Sequence, residues 1–116
     1  MRVKILERDV KKACLAYLHS QGVYAYNQRN TGTYDVRRSV FIPAPMRGLP
    51  DIVGYFGRRW AGHAGRAVYV EVKSPTGKPS PEQEFFIKEA RESGCFACIA
   101  HGVDELEAEL KVFKAK

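Results

Sequence analysis

Gly48-Leu49-Pro50-Asp51-Ile52-Val53 and Ala67-Val68-Tyr69-Val70-Glu71-Val72-Lys73-Ser74-Pro75 are the two stretches whose reading decides the fold. The first sets an aspartate at the mouth of an apolar, β-branched run. The second is a strand-like run closed by a proline, which has no amide hydrogen to donate to a ladder. Side chains alternate faces along a strand, so Val68, Val70 and Val72 point one way and Glu71 and Lys73 the other. Three valines on one face predict a strand backed by a core. A carboxylate and an ammonium on the other face need a reason, because an unpaired buried charge is costly.

Phosphodiester hydrolysis supplies one. It needs the charge on the phosphate neutralised and water turned into a nucleophile, and a hard cation held by carboxylate oxygens does both. Asp51 and Glu71 each offer an oxygen, and the main-chain carbonyl of Val72 lies between Glu71 and Lys73. Lys73 can hold or polarise water, or contact the phosphate. Glu-Val-Lys alone is a weak signal, since a surface strand edge carries such a triplet by chance. Gly-x-Pro-Asp upstream and a proline-capped helix downstream make it specific.

Outward from this centre the chain alternates helices and strands. Residues 5–21 predict an amphipathic helix with Leu6, Val10, Ala13, Cys14, Tyr17 and Leu18 on one stripe and Gly22 as its stop. Glu7 flanks that stripe, and read locally it is a carboxylate favoured by the helix macrodipole. Residues 23–28 predict a strand, 29–35 a polar turn, and 39–42 a short strand ended by Pro43 and Pro45. The strand at 51–56 forms a long hairpin with the Glu71 strand through the glycine-rich residues 57–66. Trp60 in that connector is suited to stacking on a base, wedging at a branch point, anchoring the loop or meeting a partner subunit. His63 reads as a solvated loop histidine.

Downstream, Ser80-Pro81-Glu82-Gln83 predicts a helix start, with Ser80 as N-cap, Pro81 at N1 and Gln83 completing a capping box. The helix runs to about Ser93, with Gly94 as its stop. Gln83 shares a face with Phe86, Ile87 and Ala90, so it looks toward the sheet and can hydrogen-bond near the metal centre. Residues 95–100 predict the last strand. Its Cys95 and Cys98 lie three apart and so on opposite faces, which makes them core residues rather than a zinc pair. Asp104, with Glu107, is expected to cap a final helix whose apolar side is Val103, Leu106, Leu110 and Phe113.

Length and composition set the frame. The 116 residues are expected to form one domain over 1–116, of the α/β class. Three cysteines, an odd number, argue against a disulfide framework and fit a reducing cytoplasm. No run reaches the length of a membrane span. The net charge is +6. Between positions 29 and 66, Arg29, Arg37, Arg38, Arg47, Arg58, Arg59 and Arg66 stand against only Asp35 and Asp51. Guanidinium groups grip phosphate oxygens two at a time, so these arginines, with Asn30 and Trp60, are the candidate DNA contacts. The bland alternative is a solvated basic face.

The pattern Pro50-Asp51…Glu71-Val72-Lys73 resembles the signature of the restriction-endonuclease-like nucleases. More narrowly, the whole chain resembles a stand-alone VRR-NUC domain of phage and bacterial type. The resemblance rests on Glu7, Arg29-Asn30-Thr31-Gly32, Gly48-Leu49-Pro50-Asp51, Glu71-Val72-Lys73 and Ser80-Pro81-Glu82-Gln83. It implies a central mixed sheet flanked by helices, in the order α-β-β-β-α-β-α. It implies Mg²⁺ or Mn²⁺ on Asp51, Glu71 and the Val72 carbonyl, with no organic cofactor. It further implies support from Glu7, through water, and from Gln83, with Lys73 positioning the attacking water. Small members of this kind resemble homodimers that cut branched DNA such as four-way junctions, which for a phage protein means in the cytoplasm of its bacterial host. Larger relatives act on flaps. Two alternatives are a nucleic-acid-binding module that does not cut and a sequence-specific restriction enzyme. Intact Asp51, Glu71 and Lys73 speak against the first, and the shortness of the chain against the second.

Overall fold

The computed structural model describes residues 4–28, 33–42 and 48–116, with the backbone alone at 33–35 and 40–42. The chain runs α1 (Glu7–Ser20), β1 (Val23–Asn27), β2 (Thr33–Asp35), β3 (Val40–Ile42), β4 (Ile52–Phe56), β5 (Ala67–Val72), α2 (Pro81–Glu92), β6 (Phe96–Ala100) and α3 (Val103–Lys114). Four strands form one mixed sheet in the order β1-β4-β5-β6, and β2 and β3 pair separately as an antiparallel two-stranded unit. β1 and β5 both run antiparallel to β4, while β5 and β6 are parallel and joined through α2. A parallel pair cannot be closed by a tight turn, and α2 supplies the crossover. Among the described residues no helix is long and apolar enough to cross a membrane.

The alternation read from the sequence is what layers the molecule. Val68, Val70 and Val72 are fully buried on one face of the sheet, with Val23, Ile52, Phe56, Phe96, Cys98 and Ala100. Val10, Cys14 and Leu18 of α1 and Leu106 and Leu110 of α3 cover that face. Burying each such aliphatic side chain is worth about 1.5–3 kcal/mol relative to leaving it in water. The other face is covered by α2 over β5 and β6, where Ile87 and Ala90 meet Ala97, with Tyr69, Phe86, Cys95 and Ile99 packed around them. Cys95 and Cys98 thus belong to opposite faces, as strand spacing requires.

Gly54 has a packing reason. A Cβ there would lie 2.0 Å from the carbonyl oxygen of Tyr24, so only glycine lets β1 sit this close to β4.

Four local expectations are corrected. Residues 33–35 are a strand rather than part of a turn, because they pair with Val40–Ile42. α3 begins at Val103 behind an N-cap at Gly102, and Asp104 sits in its first turn without capping it. His63 is buried rather than solvated: its ring lies against Phe56 and Phe113, and its Nδ1 is 3.3 Å from the Arg66 guanidinium. Ala13 is exposed, and Leu15 joins the core margin instead.

Candidate active site

The site is built at the end of the sheet where β4 begins and β5 finishes. The last backbone pair between them is Ile52 with Val70. One step further, the same antiparallel register sets Asp51 across from Glu71, and directly opposed residues project from the same face. The Val72 amide donates to Oδ2 of Asp51 at 3.1 Å, which fixes the aspartate at the point where the ladder stops. On the other side, the Gln28 amide donates to the Asp51 carbonyl at 2.6 Å, so Gln28, Asp51 and Glu71 stand in one row across three strands.

Glu71 is 2 % exposed. Its Oε1 accepts from Nε2 of Gln83 at 3.0 Å and lies 3.5 Å from the Lys73 ammonium. Its Oε2 is buried without a hydrogen-bond partner. Burial raises the Glu71 pKa to about 8, helped by the negative charge of Asp51 and opposed by Lys73. A carboxylate with one orphaned oxygen, crowded by a second carboxylate, is short of positive charge.

Gln83 is held by the start of α2. Ser80 Oγ accepts from the Gln83 amide at 3.2 Å, and Gln83 Oε1 accepts from the Ser80 amide at 2.8 Å, the reciprocal box expected from the sequence. That locks the side-chain amide with its nitrogen aimed at Glu71. Gly48 ties the Asp51 loop to the same helix start. It has φ 80°, and a Cβ there would lie 2.4 Å from the Glu82 carbonyl oxygen. Gly-Leu-Pro-Asp and Ser-Pro-Glu-Gln are therefore packed against each other.

Two groups at the site carry no readable signal in the sequence. Lys11 of α1 reaches Asp51 Oδ1 at 3.5 Å. His101, at the end of β6, pins the turn after Lys73. One ring nitrogen lies 2.9 Å from the Gly77 carbonyl and the other 3.0 Å from a Glu105 carboxylate oxygen. Only the parallel β5–β6 pairing, which ends both strands on one side, brings His101 there.

The remaining candidates are dispersed. Glu7 is an exposed residue of the first turn of α1, one turn before Lys11. Among the described residues no three or more His, Cys, Asp or Glu side chains come together as a metal-binding group, so Glu7 does not join Asp51 and Glu71 in one. Trp60 is corrected as a DNA contact: it is 8 % exposed, packs on Phe56 and donates its indole N–H to the Gln21 carbonyl at 2.6 Å. Arg58 and Arg59 are exposed just past β4, at the opposite end of that strand from Asp51. Arg66 is exposed just before β5, at the end remote from Glu71. Arg37 and Arg38 follow β2 and are engaged in interactions of their own. Arg29, Asn30 and Arg47 lie outside the described residues.

The family model of the VRR-NUC domain matches residues 44–104, more than half the chain. The chain belongs to the VRR-NUC domain family. Membership implies a nuclease-type function in DNA processing, and nucleases of this family generally depend on divalent metals. The matched segment contains Asp51, Glu71, Lys73, Gln83 and His101; α1, with Glu7 and Lys11, precedes it. No curated protein and no solved structure matches the chain.

The VRR-NUC residues fit a hard cation on this chain's own geometry. Two carboxylates face one another, one oxygen is orphaned, and the donor set is oxygen only, as Mg²⁺ and Mn²⁺ prefer.

Proposed function

We propose that the chain is a metal-dependent DNA endonuclease of the restriction-endonuclease-like type, with its centre at Asp51, Glu71 and Lys73. The observation that carries this reading is the orphaned, buried Oε2 of Glu71 beside Asp51, with Lys73 and Gln83 on the other oxygen. Mg²⁺ or Mn²⁺ held by Asp51, Glu71 and the Val72 carbonyl would neutralise phosphate charge and lower the pKa of water. Gln83 holds Glu71 Oε1, which leaves Oε2 for the cation. The Val72 amide holds Asp51 Oδ2. The Lys73 ammonium, close to the same carboxylate, donates to water or to a phosphate oxygen and keeps the attacking group in line. Glu7 has an outer supporting part, through water.

The working unit we propose is a homodimer acting on branched DNA, the four-way junction above all. One chain carries one Asp51–Glu71–Lys73 centre, and two opposed strands need two cuts. A two-fold dimer supplies paired centres in the symmetry of a junction. Trp60 and the apolar stripe of α3 pack inside the subunit.

Labelled four-way junction, flap, single-stranded and duplex DNA, incubated with Mg²⁺, Mn²⁺ or EDTA, test the reading. Paired cuts in the junction, abolished by EDTA, are expected. Light scattering should report about 26 kDa for two 13.1 kDa chains. Absence of cutting with either ion overturns the nuclease assignment, and paired cuts by a strict monomer overturn the dimer.

A further inference from the structure

Among the described residues, α2 packs on the β5–β6 half of its face of the sheet. On the β1–β4 half of that same face stand Tyr24 and Tyr26 of β1 and Tyr55 of β4, 63 %, 59 % and 51 % exposed. Register sets Tyr24 across from Tyr55 and Tyr26 across from Val53, and the rings of Tyr24 and Tyr55 stack with centroids 5.3 Å apart at 26°. Two residues beyond Tyr26 along β1 comes Gln28, directly beside Asp51. The aromatic row therefore leads to the carboxylate centre along one face. Adjacent same-face positions on a strand are about 6.8 Å apart, so Tyr26 is one step from the site and Tyr24 two.

Charge decides what this face takes. At its far end, a cleft is lined by His19, Gly22, Tyr24, Arg58 and Arg59. At its near end, Lys11 and Lys73 stand beside Asp51 and Glu71. The arginines lie a whole strand from Asp51, about 17 Å at 3.4 Å per residue, and the tyrosines fill the interval. A basic end, an aromatic floor and a phosphate-directed centre in one line suit a polyanion with exposed ring faces. Duplex DNA hides its base faces in the stack, so the tyrosines can meet bases only where the strand is unpaired.

We infer that Tyr24, Tyr26 and Tyr55 form a stacking platform for an unpaired DNA strand entering the Asp51–Glu71 centre. This rests on the nuclease reading and adds to it a contact for bases that come unpaired at the branch beside the cut. The contact is sequence-tolerant, because every base offers a π-face.

Binding in EDTA tests it without cutting. Fluorescence anisotropy of the full chain with labelled oligothymidylate, a four-way junction and a matched duplex gives the three affinities. Tyr26→Ala, and Tyr24→Ala with Tyr55→Ala, should weaken oligothymidylate binding by about five- to a hundredfold and leave the duplex unchanged. Tyr26→Phe, which keeps the ring, should bind like the parent. The variants should stay folded, with Tm lowered by a few degrees at most where the Tyr24–Tyr55 stack is lost. Parental oligothymidylate affinity in the alanine variants, with Mn²⁺-dependent cutting intact, overturns the platform and leaves the nuclease. Lost binding in a protein that cuts nothing upholds the platform and removes the nuclease. A dimer that becomes monomeric on Tyr→Ala would make this face an interface between copies and overturn the inference.

Discussion

The side-chain amide of Gln83 donates to Glu71 Oε1 at 3.0 Å while its own oxygen accepts from the Ser80 amide at 2.8 Å. One residue thus closes the start of α2 and steadies a buried carboxylate on β5. Glu71 Oε2 is left buried without a hydrogen-bond partner.

Gln83→Ala removes both bonds. It should cost on the order of 1–2 kcal/mol of stability, a fall of several degrees in Tm. Turnover per folded molecule should fall less than in Glu71→Ala, and Glu7→Ala should be milder still. Melting and cutting rate are to be measured on the same samples. Unchanged turnover after a large thermal loss would make Gln83 purely structural.

Asp51→Ala, Glu71→Ala and Lys73→Ala should each fold, bind DNA and cut it by orders of magnitude more slowly. A junction-cutting assay in Mn²⁺ with a matched binding assay separates the two steps. Parental cutting by Glu71→Ala would place the centre elsewhere.

The raised pKa of Glu71 makes metal-free stability pH-dependent. Its folded value, about 8, exceeds its ordinary 4.5, so between those values the folded state holds the proton more tightly than the unfolded one. Stability conferred this way is present at low pH and is lost as pH rises from about 5 through 8. His101, raised chiefly by its hydrogen bond with Glu105, changes in the same direction. Tm in EDTA should fall by roughly 5 °C or more across that window, less in Glu71→Gln, and Mn²⁺ should restore it at pH 8. A profile identical in Glu71→Gln would contradict the assignment.

DNA affinity should fall linearly in log salt, as condensed counterions are released from neutralised phosphates. Arg58→Ala or Arg59→Ala should make that slope shallower by about one unit per lost contact. Binding titrations across a salt series measure it. A flat dependence would remove the exposed hairpin arginines from the DNA face.

The sequence by itself determined the elements that follow from local rules. Valine alternation set the faces of β5, the Ser80–Gln83 box set the start of α2, and Pro50-Asp51 with Glu71-Val72-Lys73 named residues that meet where β4 begins and β5 ends. Each depends on neighbours within a few residues, where backbone geometry leaves little choice. What tertiary structure alone decided is how distant segments meet. Register placed Asp51 across from Glu71, α1 brought Lys11 to Asp51, and the parallel β5–β6 pair brought His101 under the turn after Lys73. Trp60 and His63 look exposed in a glycine-rich, arginine-bearing loop, yet both are buried, because Phe56 and Phe113 offer them an apolar wall that no local pattern announces. The tyrosines were invisible for the complementary reason. Alternation said that Tyr24 and Tyr26 share a face, and the structure shows α2 packed over β5 and β6 with both tyrosines exposed.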